Sequence, residues 1–471
     1  DSKLLTDLVF EQKLDSFIKG LSLKGKASLN TYFNHRSLYG DLTFPRYQIY
    51  YDRIGKGQNP WFRTGEGNEV WKLPPFDINV GGLEGGYYTD LYYEFAINYA
   101  NSFGFHNISA MVLTNRQEKD RGTDFPYLNA ALVGRATYDY KHKYLMEVNV
   151  GYTGSEQFAP ANRYGFFPSG ALGWVISEEQ FLKTAAPWIS KLKLHYSDGL
   201  VGSDYATNRW LYMSDYYTSG NYILEDKAPN RTAQWEEARK RDLGIEFGVL
   251  KNTFTLSVDL FDEYRTKMLL TPRSVTLYVG NSFKELNLGS LKKHGIEIEA
   301  EYNKTTTGGF NYFVKALLGF NENRILNKDD LPYSPEYTQD AGKPLGAQKS
   351  GVLLTGTGYY TSVDDIHNNP APTDLTKLYI GDYKFLDYTA DGKISILDKY
   401  PIPGFTYPPV TYSLSGGMSF KGFDFDFMFQ GNVGKYVEFK QGFENEFLFK
   451  DWIIHKSQLD YWSRENPDAN N

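Results

Sequence analysis

Fourteen segments of this chain alternate apolar and polar residues with a period of two, and the connections between them alternate between short and long. From Asn252 to Phe261, Phe254, Leu256, Val258 and Leu260 fall on one face, and Thr253, Thr255, Ser257 and Asp259 on the other, the pattern of a strand with unlike faces. Between Lys421 and Gln430 the same spacing sets Phe423, Phe425, Phe427 and Phe429 against Asp424, Asp426, Met428 and Gln430. The segments lie near 2–13, 20–34, 88–102, 105–116, 127–140, 143–154, 168–176, 190–200, 236–249, 252–263, 291–303, 308–320, 408–420 and 422–433. Helix is expected only around Ser177 to Thr184, where a Ser and acidic residues open the segment as a helix start requires.

Tight links such as Phe103–Gly104, Lys141–His142, Leu250–Lys251 and Lys421 are separated by the stretches 35–87, 117–126, 155–167, 201–235, 264–290 and 321–407. An up-and-down barrel of the bacterial outer membrane has this organisation, with short periplasmic turns and long extracellular loops. A soluble sandwich has no reason for it, and a propeller would repeat a signature every 40 to 50 residues or so. The expected fold is therefore all-β: a transmembrane, antiparallel up-and-down β-barrel with long extracellular loops.

Composition agrees. Mean hydropathy is −0.49 and no run of about 18 apolar residues occurs, which excludes a helical span but not a strand barrel, whose polar face dilutes the average. The 38 Tyr, 32 Phe and 8 Trp suit aromatic girdles at two membrane interfaces. A net charge of −7 leaves no excess of cations for nucleic-acid phosphates. With no cysteine, disulfides and thiolate metal sites are excluded. The seven His, at 35, 106, 142, 195, 294, 367 and 455, have no metal-ligand spacing in sequence, and nucleophile-elbow and P-loop patterns are missing, so no enzyme activity is expected.

The stretch Phe158-Ala159-Pro160-Ala161-Asn162-Arg163-Tyr164-Gly165-Phe166-Phe167-Pro168-Ser169, followed by Gly173-Trp174-Val175-Ile176-Ser177-Glu178-Glu179, closely resembles SusC/RagA-type TonB-dependent outer-membrane transporters. So do Leu192-Lys193-Leu194 to Gly202, Trp235-Glu236 to Gly248, Gly289-Ser290 to Ile298, and Gly422-Phe423-Asp424 to Gly431. The resemblance implies an importer in the outer membrane of Bacteroidota-type Gram-negative bacteria, with a barrel of about 22 strands around a plug. It also implies a SusD-like surface lipoprotein as lid and energy delivered by the TonB complex. The cargo it implies is an oligosaccharide by default, or an oligopeptide. Plug and TonB box are not recognisable in residues 1–471, so the chain is expected to be one part of a larger receptor barrel. A self-contained 14-strand barrel is the structural alternative, and a structural subunit of an outer-membrane assembly or secretion complex, without transport, is the functional one.

Within the long 321–407 loop, residues 387–398 have the spacing of an EF-hand-like cation loop. Asp387, Thr389, Asp391, Ser395 and Asp398 would supply side-chain ligands and Lys393 its carbonyl, with Gly392 at the sharp turn; such oxygen donors suit a hard cation such as calcium. Thr at the third position and Asp at the twelfth weaken the pattern, and an Asx turn in a polar loop explains it equally well. Trp61, Phe62, Trp71, Trp210, Tyr212, Tyr216, Tyr217, Tyr359 and Tyr360 fall in expected extracellular loops. Of these Trp61, Trp210, Tyr212 and Tyr360 are the ligand-contact candidates, weighed against a role in the loops' own cores. Glu297, Glu299, Glu301, Lys191 and Lys193 are expected on the lumen side, lining either a path or a solvated wall.

Overall fold

The computed structural model describes residues 2–33, 47–50, 53, 56–58, 61–63, 87–121, 125–275, 277–347, 358–373, 378–400, 405–436, 460, 462–463, 465–466 and 469. All fourteen expected strands are present: β1 (Ser2–Lys13), β2 (Leu21–Phe33), β3 (Tyr87–Phe103), β4 (His106–Asp120), β5 (Tyr127–Tyr140), β6 (Tyr144–Ser155), β7 (Tyr164–Val175), β8 (Ile189–Ser203), β9 (Glu236–Val249), β10 (Phe254–Leu270), β11 (Leu286–Thr305), β12 (Asn311–Asn327), β13 (Val410–Phe420) and β14 (Phe423–Val433). They form one sheet in which sequence neighbours are hydrogen-bonded neighbours throughout. The antiparallel registers follow, for example Lys193 opposite Glu246 and Asp259 opposite Glu297.

Several strands run further than the alternation alone indicates. β4 continues to Asp120, β7 begins at Tyr164 and β10 reaches Leu270. Two connections expected to be long thus shrink to 121–126 and 156–163. The reason is that ladder hydrogen bonds between backbones extend a strand through residues whose side chains carry no alternation.

Contacts divide the chain into two compact units, Asp1–Ile97 with Leu113–Ala131, and Asn98–Val112 with Leu132–Asn471. In the first, β1 and β2 pair without a bulge from Ser2 opposite Phe33 to Lys13 opposite Ser22. Its polar side chains join across strands, as in the Lys24–Glu94 ion pair at 3.3 Å.

The second unit has an inverted burial pattern. Along β6, Tyr144, Met146, Val148, Val150 and Tyr152 are exposed, while Glu147, Asn149 and Thr153 are half-buried. β14, the edge strand, is exposed on both faces and carries Phe423, Phe425, Phe427 and Phe429 on one of them. A water-soluble sheet would bury that apolar face, whereas a membrane barrel gives it to lipid.

Aromatic rings gather at the short-turn ends of these strands. Tyr140 stacks on Tyr144 at 6.4 Å and lies tilted against His106 at 4.9 Å, Trp188 meets Phe247 edge-on, and Phe310 packs on Tyr312 and Phe420. This is an interface girdle. Among the described residues no helix is long and apolar enough to cross a membrane. The one helix expected from sequence is a single short α1 (Gln180–Ala185) in the turn between β7 and β8.

Candidate functional site

The long connections of the second unit build a loop assembly with its own core. Phe158, Leu211 and Ala233 are fully buried, with Trp235 and Leu269 nearly so. Trp235 packs at 5.3 Å against both Phe158 and Phe167, and its indole N–H donates to the Arg163 carbonyl at 3.1 Å. The Phe158–Ser169 motif is thus packing chemistry: it seats the loop ends on β7 and β9. Asn162 has the same role, its amide donating to the Ala233 carbonyl at 3.2 Å.

Above this core, two adjacent buried charges pin the segment that carries Trp210 and Tyr212. The Lys284 ammonium, 1% exposed, donates to the carbonyls of Arg209 and Trp210 and pairs with Asp215 at 2.6 Å. The Glu285 carboxylate accepts from the Thr207 and Asn208 backbones and from the Asn208 amide. Burial works to raise the Glu285 pKa, but the Asn208 amide and these N–H groups hold it below its ordinary value. Buried charges persist only when satisfied in this way.

Trp210 adopts a left-handed backbone, φ 41°, with the Arg209 guanidinium 4.0 Å over its ring. Trp210 and Tyr212 are both half-buried. Next to them a hairpin, Asp215–Ser219 with Tyr222–Ala228, exposes Tyr216, Tyr217, Tyr222 and Ile223.

The other contact candidates belong to other parts of the chain. Trp61 belongs to the first unit, in a short strand pair of Tyr47–Ile49 and Trp61–Arg63, and is 54% exposed. Tyr360 requires a correction: at 1% exposure, with its hydroxyl donating to the Pro370 carbonyl at 3.0 Å, it is core for its own loop and presents no ring to a ligand. Tyr359 stacks on Tyr383 at 5.0 Å. Trp71 lies outside the described residues, as does the side chain of Phe62.

In the 387–398 segment, Gly392 takes a left-handed φ of 82° at the sharp turn. Asp387 accepts from the backbones of Asp391 and Gly392, and Asp391 from that of Lys393. Asp398 accepts from the backbone and hydroxyl of both Thr389 and Ser395 and closes a capping box. Burial opposes the ionised form of Asp398, yet these donors hold its pKa below the ordinary value. Asp387, Asp391 and Asp398 do not converge: among the described residues, the group of three possible ligand side chains within 4.8 Å is His195, Asp242 and Asp259. Sequence reading missed that trio because its members come from three strands, β8, β9 and β10, and have no spacing in common.

The polar face of the sheet carries cross-strand pairs. Lys191 and Lys193 share Glu246 at 2.5 and 2.8 Å, and Lys315 meets Glu299 at 2.5 Å. A concavity of about 620 Å³ on this face is lined by Asp259, Glu297, Glu299, Thr411 and Asn432.

Residues 6–444 match the family model described as TonB dependent receptor-like, beta-barrel. The chain belongs to this receptor β-barrel family. As a TonB-dependent receptor barrel it is an outer-membrane protein. It is 26% identical over 427 residues to TonB-dependent receptor P3 of Formosa agariphila, covering 79% of this chain and 42% of that protein. To TonB-dependent receptor SusC of Bacteroides thetaiotaomicron it is 28% identical over 325 residues, 64% of this chain and 31% of SusC. The receptor barrel thus spans less than half the length of these relatives. Its fold is similar to that in the structure of the RagAB peptide transporter, with a TM-score of 0.66 at 17% identity, covering 99% of this chain and 52% of the other.

Proposed function

We propose that this receptor barrel is the wall and mouth of a TonB-energised outer-membrane importer that takes up oligosaccharides, with oligopeptides as the alternative cargo. The observation that carries the reading is the family match over residues 6–444, joined to a sheet whose apolar face is outward and whose polar face is lined with paired charges. In this proposal a SusD-like lipoprotein closes over the long loops, and the TonB complex acts through a part of the receptor outside residues 1–471. Trp61, Trp210 and Tyr212 are the proposed ring contacts to cargo or lid.

Deleting the gene and growing the cells on single glycan or peptide sources tests the proposal. Loss of growth on one source, with outer-membrane assembly intact, supports import; normal growth on every source with defective assembly favours the structural-subunit reading. Calcium in the 387–398 loop belongs to the proposal, supported by the left-handed Gly392 turn and the carboxylates of Asp387 and Asp391 beside it. Titration calorimetry on the intact protein should give calcium uptake that Asp391→Ala abolishes; no uptake removes the ion from the proposal.

A further inference from the structure

We propose that His195, Asp242 and Asp259 form a site for a zinc-class divalent transition-metal ion on the polar face of the sheet, clipping β8, β9 and β10 together.

Register brings the three together. His195 lies opposite Gly244 on β9, and Gly244 lies opposite Asp259 on β10, so the three share one row across the sheet. Asp242, two residues from Gly244 on the same strand, projects from the same face. A side chain at 244 would stand in the way: a Cβ there would lie 2.2 Å from Asp259 Oδ1 and 2.3 Å from the His195 ring. Glycine at this position is what lets an imidazole and a carboxylate from strands on either side of β9 meet above it.

The distances suit a shared ion, the three ligand atoms all lying within 4.8 Å of one another. His195 Nε2 is 3.4 Å from Asp242 Oδ1 and 3.2 Å from Asp259 Oδ1. Metal–ligand bonds of about 2.0–2.2 Å in a tetrahedral shell place ligand atoms roughly 3.3–3.6 Å apart. Here both oxygens stand off at similar distances.

The other ring nitrogen agrees. His195 Nδ1 is buried without a hydrogen-bond partner, and Glu246 Oε1 lies 3.9 Å from it. Metal-bound histidines give that N–H to a carboxylate or carbonyl, which fixes the tautomer. Glu246, already held by Lys191 and Lys193, is the positioned acceptor once the ring turns toward an ion. One imidazole and two carboxylates leave a fourth position for water, and this donor set suits zinc, nickel or cobalt(II) better than calcium.

The test uses the full-length protein purified in detergent, stripped with chelator and titrated with cobalt(II). The expected result is one equivalent bound with the visible absorption of a tetrahedral cobalt centre, displaced by zinc. His195→Ala and Asp259→Asn should each abolish the band while retaining the heat-modifiable migration of a folded barrel, and Glu246→Gln should weaken binding about 10- to 100-fold. His294→Ala, a histidine on the neighbouring β11, should leave it unchanged. If His195→Ala does not fold, Asp242→Asn is read by the same criterion. Absence of the band in the parent, or a band that survives His195→Ala or Asp242→Asn, overturns the proposal and leaves the trio as an ion cluster.

Discussion

Glu179 carries the clearest electrostatic consequence of the fold at the residue scale. It precedes α1 without capping it. Its carboxylate instead accepts from Lys143 at 2.7 Å, Tyr144 at 2.8 Å and the Trp174 indole at 3.3 Å. Sequence reading placed Glu178 and Glu179 at a helix start and no more; the partners come from two other strand ends and could not be read from spacing. The Lys143 and Tyr144 donors, with Trp174 behind them, bring the Glu179 pKa down from 4.5 to about 2. A carboxylate whose pKa is depressed on folding stabilises the folded state above its unfolded pKa, and this contribution disappears as pH falls through the folded value. The melting temperature of the parent should therefore exceed that of Glu179→Gln at neutral pH, and the gap should close between pH 4.5 and about 2. A gap that stays constant down to pH 2 would refute the assignment.

At the scale of the element, β6 states the membrane rule most simply. Val148 lies mid-strand on the exposed apolar face and Asn149 beside it on the polar face. Val148→Arg should cost about 2–4 kcal/mol near the bilayer midplane, whereas Asn149→Arg should be tolerated; denaturant unfolding in lipid vesicles measures both. The loop assembly obeys soluble-protein rules instead. Trp235→Ala removes a nearly buried ring at the centre of its core and should cost that assembly about 3–5 kcal/mol. Protease cleavage between residues 204 and 235 should then accelerate while the strands keep their resistance to heat in detergent. Equal loss of both would mean that the loop core and the sheet unfold as one.

For the whole molecule, the 328–409 connection between β12 and β13 is the longest between neighbouring strands. It is held by buried Asp340, which pairs with Arg273 at 2.9 Å and Lys328 at 3.5 Å, and by the Asp398 capping box. If the 387–398 segment takes calcium, as proposed, calcium should slow proteolysis of this loop selectively, and chelator should reverse the effect. An unchanged cleavage rate, with calcium uptake demonstrated, would show that the ion does not stiffen the loop.

Alternation along the chain determined the strands, because a period of two is a local property and one face of each strand must meet a uniform solvent, here lipid. The short turns fix the seven hairpins, β1 with β2 through β13 with β14; the pairing across the six longer connections follows the neighbour-to-neighbour order of an up-and-down sheet. Family motifs were legible for the same reason: Phe158, Gly173-Trp174 and Trp235-Glu236 are short runs. What each motif residue does was decided only by the fold. The core of Phe158, Leu211, Trp235 and Leu269, the anchoring of residues 207–215 by buried Lys284 and Glu285, the burial of Tyr360 and the meeting of His195 with Asp242 and Asp259 all depend on contacts beyond the local sequence. Such contacts depend on register and on loops folding back over strand ends, and no periodicity in the sequence encodes either.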